Sequence, residues 1–97
     1  MELLVDKACH AGADIFGVQE RGYVREGWFA DLVIVDSDQP FMVTPENLLY
    51  KCGWSPFEGH EFSATVDTTI VNGEIVYRNG SLTGAIAGQR LDFQRAR

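Results

Sequence analysis

Few side chains in this sequence have the type and spacing that catalysis requires. A catalytic metal site needs several convergent imidazoles, carboxylates or thiolates, with one coordination position left open. The sequence has two histidines, His10 and His60, which lie far apart and outside any His-x-His or His-Glu-x-x-His motif. We therefore predict that this chain contributes no metal-binding residue and no cofactor-binding residue.

Nucleophilic catalysis has no better support. No serine lies in a Gly-x-Ser-x-Gly turn of the kind that exposes a catalytic hydroxyl; the serines are Ser37, Ser55, Ser63 and Ser81. Cys52 follows Lys51, and a nearby cation favours the thiolate, but we interpret Cys52 as a packed thiol. Asp31 and Asp36 flank an apolar run, where aspartates commonly accept hydrogen bonds from backbone N–H groups in adjacent turns. The sequence thus predicts no catalytic residue.

Length and charge exclude several classes of protein. A chain of 97 residues suffices for one small domain but not for a catalytic (β/α)₈ barrel of about 250 residues. The 14 acidic and 8 basic residues give a net charge of −6, which opposes binding to nucleic acid and to anionic membranes. No apolar run approaches the ~20 residues of a membrane span, and the start does not resemble a signal peptide. The two cysteines form no disulfide framework, so a cytoplasmic location is predicted.

The first residues predict a helix. Apolar side chains recur there at spacings of three and four, which places them on one face of a helix; they are Leu4, Val5, Ala8 and Cys9. Residues 11–17 extend this pattern as a possible second helical turn. Gly17 is expected to stop it, because glycine accepts the left-handed geometry that ends helices.

Strand patterns follow. Residues 23–24 and 32–35 are rich in β-forming side chains, and the second run is apolar at every position, so we expect protein to cover both of its faces. Thr44 and Pro45 predict the N-cap and first position of a helical turn after a loop. Residues 51–62 show no regular pattern and are predicted to form a long irregular connection.

The clearest local signal is a hairpin over residues 68–77. Two β-prone runs are separated by Asn72-Gly73, the dipeptide that best tolerates the positive φ angles of a type I′ turn. Asn79-Gly80 is expected to end the second strand, and Leu91 and Phe93 to place a last extended segment on the core. The predicted fold class is α+β, with a short N-terminal helix followed by a small, mainly antiparallel β-sheet.

Two blocks of sequence resemble a known family in order and spacing. The first block comprises Ala-Asp-Ile-Phe-Gly at residues 13–17, Gly22, Gly27, Ala-Asp at residues 30–31, the apolar run and Asp36. It resembles the C-terminal pattern of the amidohydrolase superfamily. The second block comprises residues 51–59, 69–73 and 76–77. Together with Cys-His at residues 9–10 and the ending at residues 90–93, it resembles the cyclic amidohydrolases, and among them the dihydroorotases most.

The resemblance implies the function of a larger enzyme. Dihydroorotases reversibly hydrolyse the cyclic amide of dihydroorotate to N-carbamoyl aspartate in pyrimidine biosynthesis, using metal ions in a (β/α)₈ barrel. By that resemblance, residues 1–17 are the last barrel helix and its exit, and residues 18–97 are the C-terminal share of a small β-sandwich. Zinc and its ligands are then expected upstream, and this chain is expected to be inactive alone. Its expected partners are the missing N-terminal barrel and, for the parent enzyme, a small cyclic amide.

Two alternatives remain open from the sequence. The parent could be a sister cyclic amidohydrolase, an allantoinase or a hydantoinase, because these share parts of the second block. The chain could instead be a free-standing, non-catalytic β-rich interaction module. In either case exposed sheet edges favour self-association.

Overall fold

The computed structural model of the chain describes residues 1–94. These residues form an N-terminal helix, a four-stranded antiparallel sheet and a two-stranded antiparallel ladder. The fold is therefore α+β, as the sequence predicted, and residues 1–94 contain no (β/α)₈ barrel. No helix within this range is long and apolar enough to cross a membrane.

The N-terminal helix is longer than the sequence pattern indicated. It consists of α-helical Glu2–Val5, a π-helical segment at Asp6–His10 and α-helical Ala11–Phe16. The residues at both junctions keep right-handed helical φ and ψ, so the predicted helix and the possible second turn are one continuous element. Its apolar stripe is not buried by the rest of the chain, since Leu4 is 62% exposed.

Gly17 ends the helix as predicted. Its φ is 65°, in the left-handed region. The Gly17 N–H donates to the Asp14 carbonyl at 3.3 Å and the Val18 N–H donates to the Ala13 carbonyl at 2.9 Å. These two bonds form a Schellman motif, which satisfies carbonyls that the helix would otherwise leave unpaired.

The loop after the helix packs back on it at Gly22. This residue has a φ of 86°, and a Cβ placed there would overlap the Ala13 side chain and lie 2.9 Å from the Cys9 carbonyl oxygen. Only glycine meets both requirements, because it lacks a Cβ and accepts positive φ. Gly22 thus sets the distance between the helix and the loop that leads to the sheet.

Six strands follow. They are β1 (Leu32–Asp36), β2 (Phe41–Met42), β3 (Glu61–Phe62), β4 (Thr65–Val71), β5 (Glu74–Arg78) and β6 (Ser81–Leu82). The larger sheet has the order β1-β4-β5-β6, with Leu32 opposite Ile70 and a register shift after Ile34. β4 and β5 form the predicted hairpin, in which Asn72 and Gly73 have φ values of 50° and 80°.

Several local predictions need correction. Residues 23–24 form no strand; they lie in the loop after the helix, where the Tyr23 ring stacks on His10. Residues 51–62 are not wholly irregular, since β3 pairs with β2 in a ladder too short to leave a sequence pattern. The Thr44–Pro45 prediction is confirmed as a 3₁₀ turn, Pro45–Asn47, with Thr44 as its N-cap.

The described part of the chain has a very small core. Its buried apolar residues are Ala13, Val43 and Ala87, and its buried polar residues are Arg21 and Thr68. The last extended segment is held by its backbone, through a bridge between Val18 and Phe93, while the Phe93 side chain stays 52% exposed. Most of the large apolar side chains therefore remain on the surface.

Candidate functional site

The residues that could do chemistry do not converge in the structure. His10 stacks on Tyr23 with 4.0 Å between ring centroids, whereas the ring of His60 lies 4.5 Å from that of Phe62, beside the β2–β3 ladder. Within residues 1–94 no group of three or more His, Cys, Asp or Glu side chains could hold a metal ion. The two histidines act as parts of separate aromatic clusters.

The cysteine and serine side chains also lie outside any catalytic arrangement. Cys9 and Cys52 are both free and exposed, so the interpretation of Cys52 as a packed thiol is wrong. Its Sγ lies 3.7 Å from the Trp54 carbonyl oxygen. The Ser55 hydroxyl accepts a hydrogen bond from the Phe57 N–H at 3.1 Å, which stabilises a local turn.

Both flanking aspartates have the structural role that the sequence predicted. Asp36 accepts a hydrogen bond from the Asp38 N–H at 2.9 Å. Asp31 accepts one from the Asn72 N–H at 2.8 Å and pairs with the Arg21 guanidinium. Burial acts to raise the pKa of the Asp31 carboxyl, but the Asn72 N–H and the Arg21 cation outweigh it and hold that pKa below its ordinary value.

Arg21, Asp31 and Asn72 form a polar junction that ties together distant parts of the chain. The Asn72 side-chain amide donates to the Ala87 carbonyl at 2.6 Å, and the Arg21 guanidinium lies over the Phe29 ring at 4.0 Å. Arg21 keeps only 7% of its side chain exposed. The polar junction therefore fixes the post-helix loop, the start of β1, the β4–β5 turn and the C-terminal segment relative to one another.

An aromatic stack attaches the helix to the same loop. The Tyr23 ring lies between His10 and the Arg25 guanidinium, which is 4.3 Å from the ring centroid. The Tyr23 hydroxyl donates to the Asp14 carboxylate at 2.7 Å. That hydrogen bond, with smaller contributions from burial and from the Asp14 charge, raises the pKa of Tyr23 above its ordinary value. The stack is polar at its rim and positions the helix rather than a substrate.

The most unusual surface of the molecule is strand β1. Val33, Ile34 and Val35 are 58%, 51% and 45% exposed, although successive side chains of a strand point to opposite faces of the sheet. Both faces of β1 are thus open. β1 also lies at the edge of the sheet, with β4 as its partner among the described residues. The expectation that protein covers both faces is not met by residues 1–94.

An apolar cleft of about 570 Å³ opens between the larger sheet and the ladder. Its lining residues include Phe41, Phe62, Val66, Val76, Tyr77 and Leu82. Together with β1, this cleft makes the chain unusually apolar at its surface for a protein of its size. The candidate functional surface is accordingly made up of strand β1 and this cleft.

Comparison with known proteins places the chain. The sequence model of the Amidohydrolase family matches residues 1–76, which is most of the chain. The chain belongs to the amidohydrolase family. The chain is 35% identical to a dihydroorotase of Pyrococcus furiosus over 77 residues, which are 79% of the chain and 18% of that relative.

Two further relatives are 47% and 33% identical to the chain. A dihydroorotase of Clostridium acetobutylicum is 47% identical over 60 residues, covering 62% of this amidohydrolase chain and 14% of the relative. An allantoinase of Desulfitobacterium hafniense is 33% identical over 78 residues, covering 80% and 17% respectively. The resemblance to dihydroorotase-like amidohydrolases is confirmed. The chain spans less than a fifth of the length of these relatives.

Sequence reasoning missed two features of this amidohydrolase. A lone arginine such as Arg21 gives no pattern that distinguishes a buried side chain from an exposed one. The partnership of His10 and Tyr23 was equally invisible, because the two residues come from different elements. The need of strand β1 for cover was visible in the sequence, because residues 32–35 are apolar at every position. Residues 1–94 leave Val33, Ile34 and Val35 exposed.

Proposed function

We propose that this amidohydrolase chain is the C-terminal portion of a dihydroorotase-like enzyme. The full-length enzyme reversibly hydrolyses dihydroorotate to N-carbamoyl aspartate in the cytoplasm, as a step of pyrimidine biosynthesis. In this proposal residues 1–17 are the last barrel helix and its exit, and residues 18–97 are the C-terminal share of the β-sandwich. The chain alone is inactive and serves to complete the fold of the enzyme.

The observation that supports the proposal most directly is that both faces of strand β1 are exposed. An apolar strand at a sheet edge, open on both faces, is a template for further strands and for a covering layer. The helix stripe around Leu4 and the apolar cleft need cover as well. A barrel and the remaining sandwich strands supply such cover, and the names and lengths of the relatives support a longer enzyme of this class.

A zinc site in the parent enzyme does not fit the residues of this chain. Its histidines are committed to separate aromatic clusters, and residues 1–94 hold no group of three potential ligands. The zinc ligands of the proposed enzyme therefore belong to residues outside this chain. Stoichiometric zinc binding or turnover by the purified 97-residue chain would contradict this part of the proposal.

The first test is the size of the native protein. An antibody raised against the 10.8 kDa chain is used to probe a lysate of the source cells. A band several times larger supports a barrel upstream. A band at the mass of the chain alone contradicts the proposal and favours the free-standing interaction module, which would then be sought with its partner.

The second test distinguishes dihydroorotase from allantoinase, which the allantoinase relative at 33% identity makes the second candidate. The full-length protein is assayed on dihydroorotate, allantoin and a simple hydantoin under the same metal conditions. The proposal expects the highest kcat/KM on dihydroorotate. A preference for allantoin or hydantoin would keep the family and reject the dihydroorotase assignment.

A further inference from the structure

The chain contains two Asn-Gly turns with nearly the same backbone geometry. In the β4–β5 turn, Asn72 and Gly73 have φ values of 50° and 80°. In the β5–β6 turn, Asn79 and Gly80 have φ values of 51° and 85°. Both are two-residue hairpin turns with positive φ at each position, so differences in their chemistry must come from their surroundings.

The surroundings of the first turn hold it closed. The Asn72 N–H donates to Asp31 at 2.8 Å, the Asn72 side-chain amide donates to the Ala87 carbonyl at 2.6 Å, and the Gly73 N–H donates to the Ala30 carbonyl at 3.0 Å. Both the side-chain nitrogen of Asn72 and the backbone nitrogen of Gly73 therefore donate hydrogen bonds. Moving either one breaks part of the polar junction.

The second turn is open. Asn79 and Gly80 are exposed, and the hydrogen bond that anchors the turn outside the hairpin runs from the Asn79 N–H to the Asp67 carbonyl at 3.0 Å. Within residues 1–94 neither the Asn79 side chain nor the Gly80 N–H makes a hydrogen bond. The strand that follows, β6, has two residues and lies at the sheet edge, so this turn opens at low cost.

From this contrast we propose that Asn79 is a site of spontaneous deamidation, and that Asn72 is protected from it. The Gly80 nitrogen attacks the Asn79 side-chain carbonyl carbon, a new C–N bond closes a five-membered succinimide, and the side-chain amide nitrogen leaves as ammonia with the proton lost by Gly80. Water then opens the ring to aspartate or isoaspartate. Glycine at position 80 favours the attack because no side chain shields its nitrogen.

The closed turn restricts the asparagine and the glycine to one backbone conformation, so we expect the ring to close from the opened turn. Opening the Asn72 turn breaks about two more hydrogen bonds than opening the Asn79 turn. Each of these bonds shifts the equilibrium between open and closed turn toward the closed form by roughly a factor of five. We therefore expect Asn79 to deamidate about ten to thirty times faster than Asn72 in the folded chain. Each event adds one negative charge to the protein.

The test follows both sites in one sample. The purified chain is incubated at mildly alkaline pH, and peptides containing each site are quantified by mass spectrometry, with isoaspartate scored separately. A parallel sample in concentrated urea removes the effect of folding, and there the two rates should converge. Equal rates at the two sites in native buffer, or faster conversion of Asn72, would overturn the proposal.

Two variants sharpen the result. Gly80→Ala places a methyl group next to the attacking nitrogen, in open space but at a φ of 85° that strains the folded turn, so its effect is measured in urea, where that strain is absent. There, conversion of Asn79 should fall severalfold while that of Asn72 stays unchanged. Asp31→Ala removes an acceptor that holds the first turn, so conversion of Asn72 should rise toward its rate in urea. Unchanged conversion of Asn79 in Gly80→Ala would show that the succinimide route is wrong.

Discussion

The polar junction and strand β1 are adjacent in the chain, yet they are opposite in burial. The Arg21 side chain is 7% exposed and paired with Asp31, whereas Val33, two residues beyond that aspartate, is 58% exposed. Ordinary domains bury valine and expose arginine. The hydrogen bonds of this region join residues of the chain itself, although Arg21 Nε, Arg21 Nη2 and Asn72 Oδ1 have no partner within residues 1–94, while the apolar surface of β1 stays exposed.

This difference distinguishes two kinds of interaction that stabilise the folded chain, namely local hydrogen bonds and hydrophobic burial. Turns, caps and the polar junction specify the path of the backbone locally and need no other protein. Hydrophobic burial, which drives folding most strongly, is slight within residues 1–94, where the buried apolar residues are Ala13, Val43 and Ala87. The isolated chain should therefore have a defined backbone but marginal stability, and substitutions should act strongly at the polar junction and weakly on β1.

The largest effect is expected at Gly22, which positions the helix against the loop that carries Arg21. Gly22→Ala would strain a left-handed φ and force a Cβ against Ala13 and the Cys9 carbonyl. Together these should cost about 3 kcal/mol of unfolding free energy, enough to unfold a marginal chain. Circular dichroism during urea titration measures the loss.

Gly53→Ala is the matched control for Gly22. Gly53 has a φ of 74°, but no atom lies within 4 Å of the position that an alanine methyl group would take there, so this variant isolates the backbone strain of about 1 kcal/mol. If both variants lose equal stability, the close contact between helix and loop does not matter and the polar junction contributes less to stability than we expect.

The next largest effect is expected from Asp31→Ala, which leaves the buried Arg21 cation without its partner. The expected loss is about 2 kcal/mol, less than for a fully buried pair because the Asp31 side chain is 34% exposed. Asp36→Ala serves as control, since Asp36 bonds a single backbone N–H and should cost about 0.5–1 kcal/mol. Equal losses in urea titrations would remove the energetic distinction between the two aspartates.

The pH dependence of stability tests the same carboxylate. The pKa of Asp31 is lower in the folded chain than the ordinary value of 3.8, so ionised Asp31 stabilises the folded state. That contribution is complete above about pH 5, where the carboxyl is ionised in both states, and is lost as the pH falls through the folded-state pKa. The stability difference between the natural chain and Asp31→Asn should therefore shrink between about pH 5 and pH 2. A difference that stays constant would show that Asp31 acts only through its shape.

The contrast between local and distant contacts also explains what could be predicted from the sequence. Local signals with one physical cause were reliable: the Gly17 helix end, the Asn72-Gly73 turn and the turn that begins at Thr44. Features that depend on residues from distant elements were missed, including the β2–β3 ladder and the buried Arg21. Tyr23 has high β propensity, but it lies in a loop and its ring stacks on His10, which belongs to a different element.

The candidate surface was predictable in one respect only. The unbroken apolar run at residues 32–35 required cover on both faces, and a chain of this length has too few other residues to supply it. No sequence pattern indicated the apolar cleft, because its walls come from five different strands. The family resemblance led to the proposal that a barrel covers this surface, which pattern analysis alone does not reach.

The smallest effect in the isolated chain is expected on β1. Ile34→Lys replaces a side chain that is already 51% exposed, so the unfolding free energy of the 97-residue chain should change by less than about 0.5 kcal/mol. In the proposed full-length enzyme the same change would place a charge in a covered layer and should cost several times more. Val33→Lys tests the opposite face of the strand in the same way. Urea titrations of both variants in both lengths of protein make the comparison. If either lysine is as harmless in the full-length protein as in the chain, that face of β1 is not covered there, and the apolar surface that needs cover is limited to one face of the sheet.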